Sequence, residues 1–134
     1  VCGRLSRDGD ELGVTLAGAG HPDSLLLRAG GEVEALPGGG VALGLMPGAE
    51  FPETTASIGP GDTLVLYTDG VTEARGADDL FGQHRLEAVL ATVAGMPAAA
   101  VVEAVALAVS DHLGDRAHDD IALVVLHREP ADRA

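Results

Sequence analysis

TLVLYTDGVTEAR, residues 63–75, decides how this chain is read. An apolar, strand-like run from Thr63 to Tyr67 stops at Asp69 and Gly70, and the spacing beyond predicts a helix start with a second acid, Glu73, one turn on. A carboxylate at the lip of a buried strand raises the question of what it holds.

Immediately upstream, Pro60-Gly61-Asp62 predicts a turn and TTASI a further strand. Farther back, VCGRLS and ELGVTLAG flank the turn residues Arg7 to Asp10, and SLLLR and EVEAL flank Ala29-Gly30-Gly31, which predicts two β-hairpins. Residues 37–52, with PGGG and MPGAEFP, form a Gly/Pro-rich irregular connection. Downstream the apolar period lengthens: Leu86, Val89, Leu90 and Val93 recur at helical spacing, and a second helix runs from Pro97 to Leu113, closed by Gly114. IALVVLH then reads as a returning strand, fed by the polar loop GDRAHDD. Antiparallel strands, then helices, then a strand define an α+β layered fold.

The 134 residues suffice for one domain with a real core, and 46% hydrophobic against 2% aromatic residues makes that core aliphatic. The formal charge is −13, every basic residue is Arg, and Lys is absent. That balance excludes a nucleic-acid footprint and an anionic membrane surface, and it suits cations or basic partner surfaces. The apolar stretch 97–113 is broken by Glu103 and Asp111 and is too short to span a membrane, and no signal peptide is read. The lone Cys2 points to a reducing, cytoplasmic home. The chain starts at Val1, not Met, directly in strand-like sequence, as expected of a fragment.

Asp69 closes one apolar strand, while Asp119 and Asp120 open another. If those strands are antiparallel neighbours, the carboxylates converge at one sheet edge, where they repel unless a cation neutralises them. Oxygen ligands without Cys or paired His favour Mg²⁺ or Mn²⁺ over zinc. Glu73, four residues beyond Asp69, extends the cluster on one helical face. The same residues also fit a plain Asp-Gly turn and loop caps, and spacing alone leaves both readings open. An aspartyl nucleophile lacks its second Asp, since Val71 occupies that place, and a receiver-type Asp needs parallel strands that the hairpins contradict. No Gly-x-Ser-x-Gly elbow is present, and His21, His84, His112, His118 and His127 lack zinc spacing.

AGAGHPDSLLLR, ALGL, PGDTLVLYTDGVTEAR, LFGQHRLEAVL and HDDIALVVL together resemble, in order and spacing, the metal-dependent protein phosphatases (PPM superfamily, type 2C-like). The likeness is to their bacterial branch similar to stage II sporulation protein E, and it runs from about Val1 to Leu126. It implies the C-terminal part of such a domain over residues 1–128, with a polar tail at 129–134. It further implies a four-layer α-β-β-α sandwich of two antiparallel sheets flanked by helices, incomplete at its N-terminal side. A dinuclear Mg²⁺ or Mn²⁺ centre would lie at one end, with metal-activated water hydrolysing phosphoserine or phosphothreonine without a phosphoenzyme.

By resemblance, Asp69 and Asp119 match metal ligands, and Asp120 takes the neighbouring place behind them. Some relatives hold a third ion with an acid where this sequence has His21 and with Asp where it has Glu73. His21 also suits shaping the turn before Pro22, and Glu73 also suits an acid in a first helical turn. The family's Gly-Asp-Val-x-Gly-His-Gly motif, which supplies the bridging Asp, is expected upstream of Val1; GDELG at 9–13 only imitates it, within a hairpin turn. The chain alone is therefore expected to be inactive, and its exposed sheet edges invite self-association. The implied substrate is a phosphorylated anti-sigma-factor antagonist. The competing expectation is a degenerate, non-catalytic module that binds a regulatory phosphoprotein.

Overall fold

The computed structural model of the protein describes residues 1–117 and 119–130; His118 and residues 131–134 of the expected tail lie outside the described residues. Among the described residues, seven strands make two antiparallel sheets. In the first, β1 (Cys2–Asp8) and β2 (Glu11–Ala17) form a hairpin closed by Gly9-Asp10, and β2 also pairs with β5 (Glu53–Ile58). Gly9 carries a φ of +58°, a left-handed conformation that the two-residue turn demands and a glycine adopts without strain. The second sheet has the order β4-β3-β6-β7, from β3 (Ser24–Leu27), β4 (Val33–Leu36), β6 (Thr63–Tyr67) and β7 (Leu123–His127).

β3 reads Ser-Leu-Leu-Leu with every residue buried, because its sheet is covered on both faces. Leu26 points to the first sheet and joins Val14, Leu16, Leu36, Ile58 and Leu64 between the sheets. Leu25 and Leu27 point the other way, with Val65 and Tyr67, into a core shared with the helices. The helices are α1 (Asp69–Thr72), α2 (Gly82–Thr92) and α3 (Ala98–Leu113). α3 buries Val101, Val105, Val109 and Leu113, spaced by four residues so that they form one stripe. The described layers are thus sheet, sheet and helices, three of the four in the expected sandwich. β1 is exposed throughout, and its Leu5, paired opposite the core residue Val14, is 50% exposed.

The fold departs from expectation at two points. The helix after Asp69 is a single turn that ends at Thr72, so Glu73 is its C-cap and not part of its first turn. Glu73 therefore meets the negative end of the helix dipole, and the dipole explanation for that acid is wrong. The run from Ile121 becomes strand only at Leu123, since Ala122 is taken up by contacts to Thr68. Among the described residues, no helix is long and apolar enough to cross a membrane.

At the end of β6 opposite Asp69, Asp62 is 6% exposed and accepts hydrogen bonds from the N–H groups of Ala29 and Gly59 and from Arg28. Burial alone would raise this carboxyl, but the Ala29 N–H, the Arg28 guanidinium and the Gly59 N–H outweigh it and hold the group below the ordinary carboxylate range. Asp62 thereby ties the β3–β4 hairpin to the turn into β6 and fixes where that strand points.

Candidate metal centre

β6 and β7 pair antiparallel with Tyr67 opposite Leu123, so the end of one strand and the start of the other share a sheet edge. One residue beyond that pair, Thr68 joins the two segments three times. Its N–H donates to the Ala122 carbonyl (3.0 Å), its Oγ1 donates to the Asp120 carbonyl (3.2 Å), and the Ala122 N–H donates to Oγ1 (3.0 Å). Thr68 is the N-cap of α1 with extended backbone, yet its hydroxyl makes no cap bond because the segment leading into β7 claims it. Asp69 follows directly and Asp119-Asp120 lie across the seam, all three exposed.

Gly70 makes this approach sterically possible. A Cβ there would run into the Asp120 carbonyl and reach Ile121 Cγ1 at 3.5 Å, so the glycine serves clearance, not an unusual φ. Val71, fully buried, anchors the turn to the helical core. Gly70→Ala is accordingly expected to push the Asp119 loop away from Asp69. In the full-length protein a Mn²⁺ titration should show affinity weakened about tenfold or more, as for lost ligand support. The accompanying cost in unfolding free energy should be about 1–3 kcal/mol, as for overpacking.

The Asp119 side chain accepts the Asp120 N–H on Oδ1 (2.8 Å). Asp120 touches its neighbours through its backbone, the carbonyl going to Thr68. Glu73 and Asp119 line one cleft of about 440 Å³, together with Gly70, Ala74, Arg75 and Ala117. His21 is half-buried and its Nδ1 donates to the Pro22 carbonyl (3.2 Å), within the turn it was expected to shape. It also lines a shallow cavity of about 140 Å³ with Tyr67, Thr68 and Ala122, which brings it to the same pole as the acids. Burial, then the charges of Asp23 and Glu87, push the Tyr67 phenol up to about 12, so it stays protonated at neutral pH.

Sequence reasoning missed Thr68 and Gly70 as the parts that hold the acids together. The only hint was their position on either side of Asp69. The carboxylate oxygens suit a hard divalent cation. Their number does not complete a cage: among the described residues no three His, Cys, Asp or Glu side chains group closely enough to hold an ion.

The architecture is shared with phosphatase domains of the PP2C type. The chain superposes on the phosphatase domain of the cell fate determinant SpoIIE from Bacillus subtilis, presoaked with Mn, with a TM-score of 0.72 and 15% identity. That match covers 96% of this chain and 56% of the other. The SiaA-PP2C domain of Pseudomonas aeruginosa gives a TM-score of 0.73 at 23% identity, over 89% of this chain and 52% of that one. Protein IcfG of Synechocystis sp. (strain ATCC 27184 / PCC 6803 / Kazusa) is 32% identical over 112 residues, 82% of this chain and 18% of IcfG. The chain thus spans about half the length of the solved domains it matches. The profile described as Stage II sporulation protein E (SpoIIE) matches residues 2–129, and the chain belongs to that family.

Proposed function

We propose that the longer protein containing this chain is a metal-dependent protein serine/threonine phosphatase. The observation that carries this reading is the Thr68 seam, which sets Asp69 and Asp119-Asp120 on either side of the joint between β6 and β7. Asp69 and Asp119 would hold the ions, and residues beyond this chain would supply the remaining ligands. Two bound Mg²⁺ or Mn²⁺ ions lower the pKa of water and offset charge on the phosphoryl oxygens.

The chain's own residues position the groups. Thr68 fixes the spacing of the two acid segments, Gly70 lets them approach, and Asp120 presents its carbonyl to Thr68 so that Asp119 faces the cleft of Glu73. Glu73 and His21, at the same pole, are the candidates for a third ion. A phosphorylated anti-sigma-factor antagonist is the proposed substrate, and a cytoplasmic setting is proposed with it. The likeness to the RsbU and RsbW domains of Rv1364c from Mycobacterium tuberculosis supports this context, at 25% identity and a TM-score of 0.68. The edges β1 and β7 leave Leu5, Val124 and Leu126 at 50%, 55% and 39% exposure, and association of the isolated chain along them is proposed.

Hydrolysis of p-nitrophenyl phosphate with and without Mn²⁺, by the full-length protein and by residues 1–134 alone, tests the reading. Turnover is expected from the full-length protein only. If neither protein turns over while the full-length protein still binds a phosphoprotein, the non-catalytic module is the correct reading. Robust turnover by residues 1–134 would contradict the incomplete metal site.

A further inference from the structure

Eight Lys and Arg residues stand against 21 Asp and Glu, so a dianionic phosphate approaching this molecule meets net repulsion. Beside the metal ions of the proposed site, a side-chain cation would help to offset it, and most of the described arginines are engaged elsewhere. Arg28 bonds Asp62 and Glu34, and Arg85 bonds Asp79 and the carbonyls of Leu80 and Phe81. Arg128 reaches the carbonyls of Ile58 and Asp10, while Arg7 and Arg116 bond carbonyls in their own turns. Arg4 and Arg75 show no side-chain hydrogen bond or ion pair among the described residues. Arg4 sits on the edge strand β1. Arg75 lines the cleft that holds Glu73 and Asp119.

The backbone under Arg75 is held from several sides. Arg75 forms a β-bridge with Leu80, the Gly76 N–H donates to the Asp79 carbonyl (2.8 Å), and the Phe81 N–H donates to the Ala74 carbonyl (2.8 Å). Gly76 is buried against the His112 ring, where an added Cβ would meet ring atoms at 2.7 Å. An exposed guanidinium therefore stands on a fixed base at the rim of an acid-lined cleft. Its planar fork of donors matches two phosphate oxygens, which a carboxylate-lined cleft cannot bind unaided.

We propose, on the phosphatase reading above, that Arg75 binds the phosphoryl group of the substrate in the Glu73–Asp119 cleft and gives the site its preference for dianionic phosphomonoesters. The test uses full-length, Mn²⁺-loaded wild type, Arg75→Ala and Arg75→Lys. Kinetics with p-nitrophenyl phosphate give KM and kcat, and calorimetry gives the affinities for inorganic phosphate and for Mn²⁺. In Arg75→Ala, KM and the phosphate Kd are expected to rise about tenfold or more, as for a lost charge-assisted pair, with Mn²⁺ affinity within about twofold of wild type. Arg75→Lys should recover part of the loss, since it keeps the charge and not the fork. Unchanged KM and phosphate Kd would overturn the proposal. So would a variant that binds Mn²⁺ more tightly and phosphate as before, because Arg75 would then be a counter-ion of the acids. Absence of Mn²⁺-dependent turnover in wild type would sink the phosphatase reading alone, and the phosphate calorimetry would still decide on Arg75.

Discussion

Asp69→Asn in the full-length protein is expected to lower Mn²⁺-dependent hydrolysis of p-nitrophenyl phosphate at least about 100-fold, since it removes a ligand and not merely its support. Stability should stay within about 0.5 kcal/mol of wild type, as for exposed positions without a special structural role. The structural reason is that the contacts at Asp69 run through its backbone carbonyl, which accepts the Glu73 N–H (2.7 Å) and the Thr72 hydroxyl (3.3 Å), and asparagine keeps both. Only the anionic charge and one hard oxygen donor are lost. Asp119→Asn should behave alike, because an amide oxygen still accepts the Asp120 N–H that Asp119 Oδ1 accepts at 2.8 Å. Asp111→Asn, an exposed acid on α3 outside the seam, serves as the control and should leave activity unchanged. Activity in Asp69→Asn equal to that of the control would remove Asp69 from the site.

The second large effect is on folding. Leu26→Ala should destabilise the protein by about 3–4 kcal/mol, the loss of a fully buried leucine in a site that cannot collapse. Leu26 is 0% exposed and sits on β3, an inner strand of its sheet, facing Val14, Leu16 and Ile58 of the opposite sheet. The fully paired strands on either side leave the hole little freedom to close. Leu107→Ala, at a residue 62% exposed on α3, should cost under about 0.5 kcal/mol. Urea unfolding reads both, and the expected result is a lower midpoint for Leu26→Ala with an unchanged slope. Equal midpoints for the two variants would show that the two sheets do not share the core described.

The strands and long helices were legible in the sequence because their periods are unambiguous. The apolar run LVLY after Thr63 marks a strand covered on both faces, and Leu86 with Leu90 marks a helix face. That Asp69 and Asp119 belong to segments sharing one sheet edge was legible for a related reason: once β6 and β7 are antiparallel neighbours, the last residues of one must lie beside the first of the other. What was not legible depends on single atoms. Nothing in the period shows that the Thr68 hydroxyl bonds the Asp120–Ala122 segment instead of capping α1, and that choice helps to delay β7 to Leu123.

The helix at Asp69 was read as longer than it is, because VTEAR, residues 71–75, carries no breaker before Gly76. Its length is set by tertiary structure, the bridge from Arg75 to Leu80 and the burial of Gly76 on His112. The hairpin of β1 follows from its turn residues, and its exposed edge from the expected fragment, but the exposure of Leu5 leaves no mark in the period, since alternation tells which side faces a core and not whether anything stands opposite Leu5. The packing of Gly18 against Gly38, which fixes the loop carrying His21, likewise leaves no trace beyond two glycines in Gly-rich segments.

The central claim is that Asp69 and Asp119 hold a divalent cation together across the β6–β7 seam. Crystals of the full-length phosphatase domain soaked in Mn²⁺, with diffraction collected at the manganese absorption edge, test it directly. An anomalous peak contacting both carboxylates is the predicted result. A peak that touches neither acid, or none at all in crystals of a protein with Mn²⁺-dependent turnover, would contradict it.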